Sequence, residues 1–175
     1  MPNLTRAFVD HACYHITTRG NQKQNVFRED EDYKKYLGML KRALSRHKIC
    51  LYSYCLMRNH VHLLIEPKSG RSISKLMQWI NRGYTAYFNT KYGTVGHLWQ
   101  GRFRSKPILK DEYLINCACY IEENPVRAGL VEDIAKYRWS SYTERCFSSG
   151  KRITDEILVE NTRESSREAL GAGTV

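Results

Sequence analysis

Apolar residues along the 175-residue chain follow two rhythms, one of period two and one near 3.6, and the switches between them mark the elements. Cys13 to Thr18 (CYHITT) is rich in β-branched and aromatic residues and ends at Arg19-Gly20-Asn21, which predicts a strand and then a loop. From Asp30, residues Tyr33, Tyr36, Leu37, Leu40 and Leu44 recur at helical spacing behind the acidic run Glu29 to Asp32, which suits the positive end of a helix dipole. Ile49 to Met57 and His60 to Glu66 are apolar runs separated only by Arg58-Asn59, the pattern of a β-hairpin. Ile73, Leu76, Met77, Ile80, Tyr84 and Tyr87 then mark a second helix, with Ser72 as its expected cap and Gly93 as its close.

Leu98 to Leu109 supplies one or two further extended segments, bent at Gly101 and limited in pairing by Pro107. A third helix is predicted from Asp111, ending by Asn124 because Pro125 follows. The order strand, helix, strand, strand, helix, strand matches a ferredoxin-like split βαβ unit, an α+β sandwich with an antiparallel sheet and helices on one face. One more helix follows that unit. Residues 1–146 are expected to form a single domain, and the polar, charged stretch 147–175 a loosely held tail.

Charge changes this picture from a fold to a class of partner. There are 28 Lys and Arg against 18 Asp and Glu, a formal net charge of +10. The excess is uneven: Pro67 to Lys110 holds nine basic side chains and no acidic one, whereas Asp111 to Val175 holds eight basic and twelve acidic. A polyanion is the expected partner of such a segment. No run approaches the roughly twenty apolar residues of a membrane span, and MPNLTRAFVD lacks a signal-peptide apolar region, so the expected location is cytoplasmic. Six cysteines without a C-x-x-C pair or a secretory signal suggest reduced, mostly buried thiols. A mixed zinc site using Cys13, His15 or Cys117 would have spacings outside the usual patterns.

The candidate chemistry lies in two places. His60 and His62 flank Val61 in the second hairpin strand, so alternation puts both imidazoles on one face, where both can reach one metal ion. Such a pair also occurs as an ordinary hydrogen-bonded surface feature, and it identifies a site only in company. On the third helix, Tyr120 and Asn124 lie about 40° apart, with Asn116 and Tyr113 on the same side and Leu114, Ala118 and Ile121 on an adjacent apolar side. If that apolar side packs on the sheet over the histidine face, the Asn124 carbonyl oxygen and a phenol meet the imidazoles.

The stretches YHITTRGNQKQNVF (Tyr14 to Phe27), LMRNHVHLLIEP (Leu56 to Pro67), LWQGRFRS (Leu98 to Ser105) and YIEENPVRAGLV (Tyr120 to Val131) occur in this order. They resemble the single-strand tyrosine transposases of the HUH class, in particular the REP-associated tyrosine transposase branch. The resemblance implies a ferredoxin-like core with the nucleophilic Tyr on a following helix. By the same resemblance His60 and His62 are the metal ligands, Tyr120 is the nucleophile, and Asn124 is the polar ligand one turn later. Arg58 departs from the family, which usually has Pro there. Tyr113, one heptad before Tyr120, is the alternative nucleophile.

The function implied is cleavage and rejoining of single-stranded DNA through a 5′-phosphotyrosine link. Two neutral imidazoles and an amide oxygen suit Mg²⁺ or Mn²⁺, with Mn²⁺ the better match to imidazole. Arg19, Asn21, Arg58, Lys75, Arg82, Arg102, Arg104 and Lys106, with Trp99 and Phe103 interleaved, are the expected contacts to phosphates and unpaired bases of single-stranded or hairpin DNA. Related transposases form dimers, which makes a homodimer an expectation here. Two other readings predict different products. A non-catalytic hairpin or single-strand DNA-binding regulator forms no covalent adduct, and a metal-dependent hydrolase leaves free 5′-phosphate ends without needing Tyr120.

Overall fold

The computed structural model describes residues 8–69, 71–109, 112–147 and 152–157. Strand β1 (Cys13–Arg19) leads to helix α1 (Asp30–His47). The hairpin β2 (Ile49–Met57) and β3 (His60–Pro67) follows, then helix α2 (Arg71–Tyr92) and strand β4 (Arg104–Ile108). Helices α3 (Glu112–Arg127) and α4 (Ser141–Phe147) complete the order. The sheet runs β2-β3-β1-β4 and every pair is antiparallel, which is the ferredoxin-like arrangement expected from the sequence.

Alternation along the strands gives the sheet two apolar faces. One carries Ile16, Leu56, Val61, Leu63 and Ile65, covered by Tyr36, Leu40 and Leu44 of α1 and by Ile73, Leu76, Ile80 and Tyr84 of α2. The other carries Cys13, Cys55, Met57 and Leu64, covered by Leu114, Ala118 and Ile121 of α3. Thus α1 and α2 share one face and α3 takes the opposite one. Each fully buried Leu or Ile contributes about 1.5–3 kcal/mol. A second tie is polar: buried Glu122 of α3 is bonded to Ser141 and Arg145 of α4, and Ser53 Oγ of β2 donates to it at 3.4 Å.

Several boundaries differ from the sequence reading. Helix α3 continues through Pro125 to Arg127 instead of stopping at Asn124. Pro125 has no N–H for the carbonyl of Ile121, and the Asn124 side chain supplies the missing donor: Nδ2 reaches Ile121 O at 3.1 Å and Tyr120 O at 2.9 Å. The helix ends where Gly129 takes a φ of +66°. Helix α2 begins at Arg71, so Ser72 lies inside the first turn and is not the cap. Only Arg104–Ile108 of the 98–109 stretch forms a strand, and Pro107 sits on it at the sheet edge. Asp111, the expected start of α3, lies outside the described residues. Of the expected tail, residues 152–157 lie against β2: Leu51 N donates to Asp155 Oδ2 at 2.9 Å, and Asp155 N donates to Leu51 O at 2.7 Å.

Candidate active site

The hairpin turn that carries the histidines needs no glycine, because neither Arg58 nor Asn59 has a positive φ. Its carbonyls are held from outside: Val26 N and Phe27 N donate to Arg58 O at 2.8 and 3.0 Å, and Gly20 N donates to Asn59 O at 2.8 Å. Gly20 is required for that approach, since a Cβ there would lie 2.4 Å from Gln24 O and 2.8 Å from the Val26 side chain. The turn, the end of β1 and the 23–27 loop are thereby fastened together around His60.

His60 and His62 fall on the α3 face as the alternation predicts, with ring centroids 4.9 Å apart. Asn59 Oδ1 lies 2.6 Å from His60 Nδ1, while its own Nδ2 donates to Lys23 O at 3.2 Å. With the amide so oriented, His60 Nδ1 is the donor and its Nε2 keeps a lone pair. On the neighbouring strand β1, His15 Nε2 lies 2.8 Å from His62 Nδ1. Burial holds the His62 imidazole down to about 3, helped by the charges of His60, His15 and Arg19. Burial, then Arg19, holds His60 down to about 4. Both rings are therefore neutral at pH 7, the state a metal ligand requires.

Helix α3 crosses this face. The ring of Tyr120, 45% exposed, stands 6.3 Å from that of His15, which is 5.1 Å from that of His62. The Arg127 guanidinium lies 5.5 Å above the Tyr120 ring. Further along, Ala128 borders a cleft of about 410 Å³ that it shares with His60, Asn59, Arg19, Lys23 and Arg58. Asn124 sits one turn beyond Tyr120 and one turn before Ala128. Its Nδ2 is spent on the helix backbone, which leaves Oδ1 as an acceptor. His60 Nε2, the neutral His62 ring and Asn124 Oδ1 are the kinds of donor that suit a divalent cation with positions left for water and phosphate. Among the described residues no group of three or more His, Cys, Asp and Glu side chains is placed to hold a metal ion.

The expected DNA contacts divide into groups. Arg19 and Arg58 line the His60 cleft, where Arg58 adds a cation at the position the family usually fills with Pro. Arg104 and Lys106 pair with Thr17 and His15 in register, so both project on the Tyr120 face. Asn21, Arg82, Trp99 and Arg102 line a second cavity of about 550 Å³ with Asn81 and His97. Arg19 and Asn21 are two residues apart, so one loop borders both cavities. Lys75 is not brought to either: it lies near His47, at the end of the sheet opposite the Arg58-Asn59 turn. Trp99 and Phe103 are core residues, 7% and 8% exposed, so little of either ring is open to stacking; Trp99 borders the second cavity, and its Nε1 donates to Asn81 O at 3.3 Å. Exposed Tyr113 stands on α3 near its N-terminus, two turns from Tyr120.

His15, Asn59 and Arg127 were not recognised as parts of the site from sequence. Arg127 had a visible signal, lying seven residues after Tyr120 and so on the same helix face. His15 shares its face with Thr17, but its meeting with His62 depends on strand register, which the sequence does not state.

The model of the family described as "Transposase IS200 like" matches residues 8–124, more than half of the chain. A curated protein of Haemophilus influenzae described as a REP-associated tyrosine transposase is 25% identical over 153 residues, spanning 81% of this chain and 86% of that protein. A solved structure of a REP-associated tyrosine transposase bound to a REP hairpin superposes with a TM-score of 0.69 at 16% identity, covering 93% of this chain and 96% of the other. That likeness confirms the fold. From the family match over strands, histidine pair and tyrosine helix together, the chain belongs to the IS200-like transposase family.

Proposed function

We propose that this transposase cleaves and rejoins single-stranded DNA at hairpin-associated sequences, with Tyr120 as the nucleophile. The observation that carries the reading is the crossing of α3 over the histidine face, which sets the Tyr120 ring 6.3 Å from that of His15, itself 5.1 Å from that of His62. A divalent cation, Mg²⁺ or Mn²⁺, held by His60, His62 and Asn124 would supply charge neutralisation at the scissile phosphate. The Tyr120 oxygen attacks phosphorus in line, the bond from phosphorus to the 3′ oxygen breaks, and that oxygen leaves as a 3′-hydroxyl carrying a proton. The 5′ phosphate stays on the phenol. Reversal by a second 3′-hydroxyl restores a phosphodiester and returns the proton to Tyr120, so no nucleotide triphosphate is consumed.

Arg19, Arg58, Arg104 and Lys106 hold backbone phosphates on the Tyr120 side, and Arg82, Arg102 and Asn21 do so on the other side of the β1 loop. The solved relative is bound to a REP hairpin, which supports a hairpin substrate for this chain. Incubation with a hairpin oligonucleotide bearing a labelled single-stranded flank and Mn²⁺ should give a covalent adduct that disappears in Tyr120→Phe and persists in Tyr113→Phe. Free 5′-phosphate ends that survive Tyr120→Phe would favour a hydrolase, and binding without any adduct would favour a regulator.

A further inference from the structure

The proposed chemistry makes no use of His15, yet this imidazole is in direct contact with a ligand histidine. His15 Nε2 lies 2.8 Å from His62 Nδ1, the length of a sound hydrogen bond. Only one direction of that bond suits a metal ligand. If His15 donates, His62 carries its proton on Nε2 and has no lone pair for a cation. If His62 Nδ1 donates, His15 must be protonated on Nδ1, and His62 Nε2 is left with a free lone pair.

Thr17 Oγ1 lies 3.4 Å from His62 Nδ1 and 3.5 Å from His15 Nε2, close to both nitrogens and able to donate or accept, so it serves either direction, and the second is favoured by the other ligand histidine. His60 shows the same design independently, with Nδ1 turned to Asn59 Oδ1 at 2.6 Å. Both hairpin histidines therefore have Nδ1 engaged by a neighbour, one from the turn and one from the adjacent strand. A third metal ligand is the other role open to His15, but its Nε2 is already occupied by the contact with His62.

We infer that His15 is a positioning residue: its Nε2 accepts a proton-bearing contact from His62 Nδ1 and so fixes the tautomer and rotation in which His62 presents Nε2 to the divalent cation. The inference rests on the metal-ligand reading of His60 and His62, and loss of such a partner costs about 10- to 100-fold in metal affinity.

The test uses the full chain and Mn²⁺ alone. Electron paramagnetic titration of free Mn²⁺ should show a dissociation constant raised about 10- to 100-fold in His15→Phe, with most of the affinity restored in His15→Gln, whose side-chain oxygen can accept the bond. An unchanged affinity in folded His15→Phe overturns the inference. Long-range proton–nitrogen NMR of the metal-free wild type provides a second measurement free of any folding defect. His62 protonated on Nδ1 is the result expected; His62 protonated on Nε2 overturns the proposal. If wild type binds no Mn²⁺, or His60→Ala binds it equally well, the metal-ligand reading itself fails, and the inference falls with it.

Discussion

Asp32 shows how far one side chain can set the conditions for the rest. It is fully buried, and its carboxylate accepts from Arg28 N at 2.8 Å, Tyr92 Oη at 2.7 Å, Tyr87 Oη at 2.9 Å and Lys91 Nζ at 3.0 Å. Burial alone would raise its pKa, but these hydrogen bonds outweigh that and hold it below the usual carboxylate range. The stability it contributes is present above the unfolded value of about 3.9 and is lost as pH falls through the lower folded value. Asp32→Asn should therefore cost about 2–4 kcal/mol in urea unfolding at pH 7 and flatten the acid limb of stability below pH ~4. The sequence places Asp32 in an acidic helix start and no more, because three of its partners, Tyr87, Lys91 and Tyr92, come from the far end of α2. The histidine pair was legible for the opposite reason: residues two apart on one strand share a face whatever the tertiary packing. The burial of Trp99 and Phe103 is not legible in the sequence, because an aromatic residue among arginines has the same pattern whether it faces DNA or the core.

Helix α3 is the element on which the site depends. Its apolar positions were legible from 3.6 periodicity and its docking side was foreseen, since Leu114, Ala118 and Ile121 do pack on the sheet. Its end was not, because a side chain one residue before Pro125 replaces the lost backbone donor, a compensation that propensity rules do not contain. The helix is anchored by buried Glu122, bonded to Ser53, Ser141 and Arg145. Glu122→Ala removes the buried acceptor shared by Ser53, Ser141 and Arg145 and should lower stability by about 1.5–3 kcal/mol in a denaturant titration. At temperatures where that variant stays folded, the adduct yield should fall more than hairpin binding does, because α3 carries Tyr120 and the phosphate contacts sit elsewhere.

At the scale of the whole molecule, part of the charge excess borders two cavities joined by the Arg19–Asn21 segment, with Arg19, Lys23 and Arg58 at one and Arg82 and Arg102 at the other, while Arg104 and Lys106 lie on β4. About six phosphate contacts from Arg19, Arg58, Arg82, Arg102, Arg104 and Lys106 predict a slope near −4 for log binding constant against log salt with a single strand. The double variant Arg104→Ala, Lys106→Ala should make that slope shallower by about 1.4, measured by fluorescence anisotropy over a salt series. The four-strand order was legible because each element announced its own type; which face took α3 was settled only by packing.

Strand β4 has a further consequence. Among the described strands none pairs with its outer edge, whereas the opposite edge, on β2, is covered by Leu56 N donating to Trp139 O at 2.9 Å and by the Asp155 backbone. An open edge invites pairing with another chain, and charge or proline along it is the usual deterrent. Arg104, Lys106 and Pro107 all lie on β4 and are exposed. The side chains proposed to follow DNA therefore also guard the sheet against self-association: a chain stripped of them loses solubility together with its grip on DNA, and bound DNA would shield the edge while it stays on.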